Sequence, residues 1–387
     1  MNTKPDIAVL SFSDIQRDGR VLRQIEYLSR NFSVIAIGYG NLSETSGVFS
    51  QIKHTPRWLR RCIKTLTLPL CRLLPAFYDR AYFMETDHRV ALSLLERACP
   101  DFIHANDWDA LPVAIKASQK TGALIILDLH EYSPRLRENH FYWEMFYAPM
   151  IDYFLHKYGS QVAASITVSP GLAKEYKAHY NLTPDIIMNV PPLQKGIAFR
   201  ATDPQHIHII HHGAAIRDRQ LEIMIQALSY TAARYELHFM LVEHTPSYIQ
   251  ELKGLAQKLV PGRITFHQPV SPLEIVKYIS RFDMGFFPLP QTNFSYAHAL
   301  PNKFFDFVAA GLAVCVGPSL EMSRLVHQYG FGVVTPSLDP AAIAETLNSL
   351  TTDVIDTMKR AALQAAKVLN ADVEMQKLLE LYQGIQR

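Results

Sequence analysis

Residues 299–318 read ALPNKFFDFVAAGLAVCVGP, and several of their side chains are of types that can hold a phosphorylated ligand. Ala299–Asn302 reads as a turn ahead of a helix, with Asn302 in the N-cap position. A helix start presents unpaired N–H groups and a partial positive charge, which suits a phosphate. Lys303 adds a cation there. Asp306 lies about one turn further on, where a carboxylate can accept the two hydroxyls of a ribose. Gly311 is placed to end the helix, and Ala313–Val316 is the strand that follows. The preceding run DMGFFPLP puts the loop Leu289–Tyr296 at the carboxyl edge of a sheet. A plain capped helix with a solvated acid and lysine would carry the same residues.

These groups need elements to position them, and the chain alternates strands and helices. Strands are expected at Asp6–Phe12, Ser33–Ile37, Phe102–Ala105, Leu124–Leu127, Ser165–Val168 and Ile186–Met188. Helices are expected at Val21–Arg30, Leu111–Lys120 and Gly171–Tyr180. Asn189–Pro204, with Pro191, Pro192, Gly196 and Pro204, lacks periodicity and reads as a linker. The alternation then restarts at Ile207–His211 and runs through Leu237–Leu241, Ile264–His267, Met284–Phe287 and Ala313–Val316. At 387 residues, 48% of them hydrophobic and 19% charged, the chain can fill two cores. The expected fold is α/β: two Rossmann-like, doubly wound parallel sheets facing across a cleft. The expected domains are 1–195, with 371–387 packing back onto it, and 196–370.

Other features narrow the function. A formal net charge of +2 argues against nucleic acid as a partner. Cys62, Cys71, Cys99 and Cys315 form no C-x-x-C pair and read as reduced thiols. The start of the chain, MNTKPDIAVLSFS, lacks the form of a signal peptide, and no apolar run is long enough to span a bilayer. A cytoplasmic protein, or one at the inner face of the membrane, is expected. Asp107-Trp108-Asp109 is a D-x-D, but so short a match carries little weight. His206, His208, His211 and His212 suggest a metal, yet alternation along a strand splits 211 from 212, and no acidic partner stands at clear spacing. The expected metal ligands are therefore none. Residues 54–84 mix Arg57, Arg60, Arg61, Lys64 and Arg72 with Trp58, Leu66 and Leu70. Such a basic amphipathic segment fits either a peripheral contact with anionic lipid or an insertion packed on the domain. The aromatic stretch Phe141–Tyr158 reads mainly as helical packing.

Three segments carry a family resemblance. Residues 299–318 resemble the donor site of GT-B glycosyltransferases, particularly the retaining family four, in which two acidic residues eight positions apart precede an A-x-G-x-P-V-like strand. Asp306 matches the second acid; His298 stands where the first is usual. HIHIIHHGAAIRDRQLEIMIQAL resembles the family's strand, G-R-L turn and following basic residue. Gly213 matches the turn glycine, Ala214 replaces the usual arginine, and Arg219 matches the downstream lysine, with Arg217 nearby. SDIQRDGRVLRQ and DLHEYSPR resemble two amino-domain segments of one group of that family.

The resemblance implies a glycosyltransferase that takes a sugar from a nucleotide diphosphate sugar and uses no metal or organic cofactor. It implies catalytic roles for His130, Arg219 and Lys303. It places Gly213, Arg217, His298, Ala299, Leu300, Pro301, Asn302 and Asp306 around the donor, with main-chain N–H groups near 299–301 on the diphosphate. Asp18, Gly19, Arg20 and Glu131 would line the acceptor or cleft loop. Retention at the anomeric carbon is implied, as is a glycan, lipid-linked or small-molecule acceptor, with surface polysaccharide or glycoconjugate assembly as the setting. Two alternatives stay open: a nucleotide-sugar 2-epimerase-like enzyme of the same fold, and a non-catalytic binding module, since His298 and Ala214 replace two usual residues.

Overall fold

The computed structural model describes residues 6–40 and 48–385. The chain divides into two compact units, residues 1–188 with 375–387, and residues 189–374. Residues 189–206, which open the second unit, contain no helix or strand.

The first unit contains β1 (Ile7–Asp14), α1 (Gly19–Leu28), β2 (Val34–Tyr39), β3 (Val48–Gln51), α2 (Arg57–Leu73), α3 (Tyr78–Tyr82) and α4 (Thr86–Ala98). It continues with β4 (Phe102–Asn106), α5 (Leu111–Thr121), β5 (Leu124–Leu129), α6 (Ala148–Tyr158), β6 (Ala164–Thr167), α7 (Pro170–Tyr180) and β7 (Asp185–Ile186). Its seven-stranded sheet has the order β3-β2-β1-β4-β5-β6-β7, and every pair is parallel. Ile7, Ala8, Val9 and Leu10 in β1 are all fully buried, as expected of a central parallel strand covered on both faces. The helix after β1 begins earlier than its apolar periodicity suggests because Asp18 caps it: one carboxylate oxygen accepts from the N–H groups of Arg20 and Val21 at 3.2 Å.

The second unit contains β8 (Ile207–Ala215), α8 (Glu222–Tyr230), β9 (Tyr235–Glu243), α9 (Tyr248–Leu259), β10 (Ile264–His267), α10 (Ile275–Ile279), β11 (Met284–Phe287) and α11 (Phe294–Ala297). Then come α12 (Asn302–Ala309), β12 (Ala313–Val316), α13 (Leu320–Tyr329), β13 (Gly332–Val334), α14 (Pro340–Asn348) and α15 (Thr352–Ala365). The six strands are parallel in the order β10-β9-β8-β11-β12-β13. The last helix, α16 (Ala371–Gly384), contributes Met375, Leu378 and Tyr382 to the core of the first unit, beside Ile7, Val9 and Ile126.

Both sheets reverse their strand order once, between β1 and β4 and between β8 and β11. Connections leave such a point in opposite directions, which opens a crevice at the carboxyl ends of the strands. In the second sheet α12 sits close over this point, and Gly285 permits it. A Cβ at Gly285 would meet the Phe307 ring at 2.1 Å, so only the bare backbone of β11 lets α12 settle there.

Candidate functional site

At the β8/β11 reversal, the carboxyl end of β8 meets the amino end of α12. Lys303, in the first turn of α12, is buried at 7% exposure. Its Nζ donates to His211 Nε2 at 3.3 Å and lies 4.6 Å from the centre of the Phe287 ring. The other His211 nitrogen, Nδ1, is 2.8 Å from the Phe286 carbonyl and donates to it, which leaves Nε2 as the acceptor. Burial and the adjacent Lys303 keep His211 neutral, its pKa held well below the ordinary value. Burial, then the charge of Arg219, pull the Lys303 pKa well below that of a free lysine, while Asp306 opposes them. Arg219 donates from Nη1 to the Ala214 carbonyl at 3.1 Å, which anchors it on the same strand end. His212 Nε2 stops 3.5 Å from the Asp306 carboxylate. Its pKa is pulled down to about 3 by burial and Lys303, so this is a neutral imidazole beside a carboxylate and not an ion pair.

The chemistry of the arrangement follows from its charges. Arg219 stands close enough to disfavour the charged form of Lys303, and both lie beside a helix start with no side-chain cap. The N–H groups that head such a helix have no partner within it. An anion placed there would relieve the repulsion and accept from those donors. His211 and His212 belong to this group although sequence reasoning treated them only as metal candidates. Their position at the end of a strand that leads into the G-A-A segment was the available signal.

Several expectations need correction. Pro301, not Asn302, occupies the N-cap position, and Asn302 is the first helical residue and exposed. Gly213 lies within β8, paired with Leu241, and not in a turn; its φ of +111° explains why glycine is needed. Arg217 does not reach this group, because its guanidinium forks onto Glu251 at 2.6 and 2.8 Å on the surface. The Ala299 N–H donates to the Tyr296 carbonyl, Leu300 is buried and Pro301 has no N–H, so this stretch offers an anion little. The donors are instead the N–H groups of Asn302 and Lys303. His298 ends α11, stacks on Phe294 at 4.1 Å and places Nδ1 3.1 Å from the Phe294 carbonyl.

The first unit gathers polar groups around Asp128, at the end of β5. Asp128 is fully buried and takes the Arg20 fork at 2.7 and 2.9 Å. Gln24 also donates to it, and His130 Nε2 lies 3.2 Å away. Burial alone would raise its pKa, but Arg20 and then His130 hold it well below the carboxylate range. His130 faces Asp107 on its other side, with Nδ1 at 3.4 Å. Burial lowers the His130 pKa, yet Asp107 and Asp128 together outweigh that and lift it to about 9. The imidazole is therefore a cation at neutral pH. Arg20 is 3% exposed, so it supports Asp128 and Ile187 from beneath and does not line a loop. Asp18 is a helix cap and Gly19 the first residue of α1. Glu131 is exposed, and its carbonyl accepts from Tyr176 at 2.6 Å.

A small cavity of about 120 Å³ opens beside this group, lined by Tyr39, Arg60, Lys64, Tyr82, Trp108 and Asp109 among others. Arg60 there is partly buried and pairs with Glu85 at 2.7 Å and with Asp87. The charges of residues 54–84 are thus only partly solvated. The opposite face of α2 exposes Trp58, Leu66, Leu70 and Leu73. Among the described residues no helix is long and apolar enough to cross a membrane.

No family model matches the chain, and no curated protein does. Solved structures do resemble it. Anabaena HepE in complex with UDP superposes with a TM-score of 0.73 at 13% identity, covering 98% of this chain and 99% of that one. Sucrose-phosphate synthase from Thermosynechococcus elongatus gives 0.71 at 14% identity, covering 97% and 98%. A glycosyltransferase from Rickettsia africae gives 0.70 at 12% identity, covering 98% and 97%. At such identities the likeness speaks for architecture, and it spans both units: the chain has the GT-B fold, two Rossmann-like parallel-sheet domains.

Proposed function

We propose that the chain is a glycosyltransferase that holds a nucleotide diphosphate sugar at the β8/β11 reversal of its second unit. The observation that carries this reading is the meeting of Lys303, Arg219 and the uncapped start of α12 beside the bare backbone of Gly213. A diphosphate supplies the charge this group lacks, and Asp306, one turn along α12, accepts the ribose hydroxyls. HepE, which shares the fold, has been crystallised with UDP and with UDP-glucose.

In transfer the glycosidic bond to the diphosphate breaks, and negative charge gathers on the leaving oxygen. Arg219, Lys303 and the N–H groups of Asn302 and Lys303 stabilise that charge, so no metal is needed. Binding of the diphosphate favours the charged form of Lys303, because the anion offsets the burial that lowers its pKa. His130, a cation whose two N–H groups face Asp128 and Asp107, contributes to the reaction through its charge, and the outcome is retention. The acceptor is a glycan or lipid-linked sugar taken up by the first unit, where the cavity beside Arg60 and Trp108 supports the assignment. The exposed stripe on α2, flanked by Arg61 and Arg72, supports contact with an anionic membrane surface.

The test is a panel of nucleotide sugars in thermal shift, with chelator present throughout. One donor should raise the melting temperature in a saturable manner, and Asp306→Ala should abolish the shift. If no nucleotide sugar binds, or if Asp306→Ala binds as well as the parent, the proposal fails. Incubation with donor alone separates transfer from epimerisation, since an epimerase needs no acceptor to form product.

A further inference from the structure

We propose that the second unit carries a zinc site at the amino end of its sheet, formed by His208 of β8 with Glu236 and His238 of β9. Parallel register sets His208 opposite Glu236, and His238 lies two residues further along the same face. His208 Nδ1 is 3.0 Å from His238 Nε2 and 3.7 Å from Glu236 Oε2. The three ligand atoms all lie within 4.8 Å of one another. Tetrahedral zinc with bonds of about 2.0–2.1 Å separates its ligand atoms by roughly 3.3 Å, so small side-chain rotations suffice to close the site.

The surrounding groups hold these ligands in the state a metal needs. His238 Nδ1 meets His267 Nε2 at 3.0 Å, and His267 Nδ1 meets the Tyr278 hydroxyl at 3.0 Å. These contacts allow Tyr278 to accept from His267 and His267 from His238, the arrangement that sets the proton of His238 on Nδ1. Its Nε2 lone pair then points at the site, the second-sphere tether common to metal-bound histidines. His206 Nδ1 lies 2.9 Å from Glu236 Oε1, orienting the carboxylate from its other oxygen. His208 and Glu236 are 34% and 31% exposed, which gives an ion access and leaves the fourth position for water.

Two imidazoles and a carboxylate favour a late divalent transition ion over magnesium or calcium. The site is about 16 Å along β8 from Gly213, so its ion ties β8 to β9 and takes no part at the diphosphate. The other carboxylate–histidine group, Glu85, Asp87 and His88, offers no comparable site, because the Arg60 guanidinium already pairs with both acids.

The experiment titrates zinc into the full chain, made without a histidine tag and stripped with chelator, and follows it by calorimetry and melting temperature. One zinc per chain should bind and raise the melting temperature. His208→Ala and Glu236→Gln should each weaken binding by about a hundredfold or more, and His327→Ala, at the surface of α13, should leave it unchanged. Magnesium should give no signal. Glu236→Gln preserves shape at a half-exposed position, so it decides the matter if His208→Ala folds poorly. No saturable binding, or equal affinity in parent and Glu236→Gln, overturns the site.

Discussion

The side chain of Lys303 packs tightly against the bare backbone of Gly213. A Cβ built on Gly213 falls 3.1 Å from Lys303 Nζ and 3.2 Å from its Cε, and the backbone there has a φ of +111°. Gly213→Ala therefore strains β8 and pushes the lysine off its line. The expected outcome is a loss of stability of about 1 kcal/mol or more, read by urea melts. Donor affinity should fall about tenfold or more in calorimetry, equivalent to roughly 1.4 kcal/mol. An alanine variant that binds donor like the parent would show that Lys303 does not hold the diphosphate.

Lys303 itself separates stability from function. Its pKa in the folded chain lies well below the ordinary lysine value. The unfolded chain thus binds more protons than the folded one, and stability rises with pH from the lowered value up to about 10.4. Lys303→Met removes the charged form that burial opposes and keeps most of the volume. The variant should melt at or above the parent temperature near pH 7, lose this component of the pH slope, and bind donor at least tenfold more weakly. Donor binding by the parent should weaken as pH rises through the lowered lysine pKa, because the diphosphate favours the protonated amine, and Lys303→Met should lack this dependence.

The helix within 299–311 was legible because its punctuation is local. A turn, a lysine, an acid one turn on and a closing glycine occupy thirteen consecutive residues, and α12 forms within one residue of the expected bounds at each end. The Rossmann-like alternation was legible for the same reason, through fully apolar strands such as Ile7–Leu10. Pairings between distant residues were not. Arg20 looks like a loop residue until β5 brings Asp128 beneath it, 108 positions away. His208 lacks an acidic partner in its own strand and finds Glu236 only through the β8/β9 register. The edge strand Val48–Gln51, half exposed and four residues long, has no periodicity to read.

His130 should leave a signature in stability against pH. Its folded pKa of about 9 lies above the usual 6.5, so the folded chain holds the proton more tightly than the unfolded one. The stabilisation is fully present below pH 6.5 and is lost as pH rises through 9. The shift corresponds to on the order of 3 kcal/mol between those limits. Denaturant melts across this range should show the parent losing stability relative to His130→Gln, against the opposite slope from Lys303, whereas Asp128→Asn should cost about 3–5 kcal/mol near neutral pH by leaving the Arg20 charge buried without its partner. A His130→Gln profile with the same slope as the parent's from pH 6.5 to 9 would rule out the imidazolium.

Arg217 and Arg219 lie two residues apart and should behave differently. The sequence offers both as phosphate ligands, and they share one short helical turn. Arg217 spends its fork on Glu251 at the surface and also lies over the Tyr248 ring at 4.8 Å. Arg219 turns inward to the Ala214 carbonyl, beside Lys303. A fully solvated ion pair contributes little, so Arg217→Ala should change donor affinity and turnover by less than about fivefold. A charged hydrogen bond to the leaving diphosphate is worth roughly 1.5–3 kcal/mol, so Arg219→Ala should lower turnover by about ten- to a hundredfold. Because charge on the leaving oxygen grows toward the transition state, that loss should fall on kcat more than on KM. Equal losses in the two variants would mean that the Arg217–Glu251 pair opens to bind donor, and would move the diphosphate outward along the β8 end.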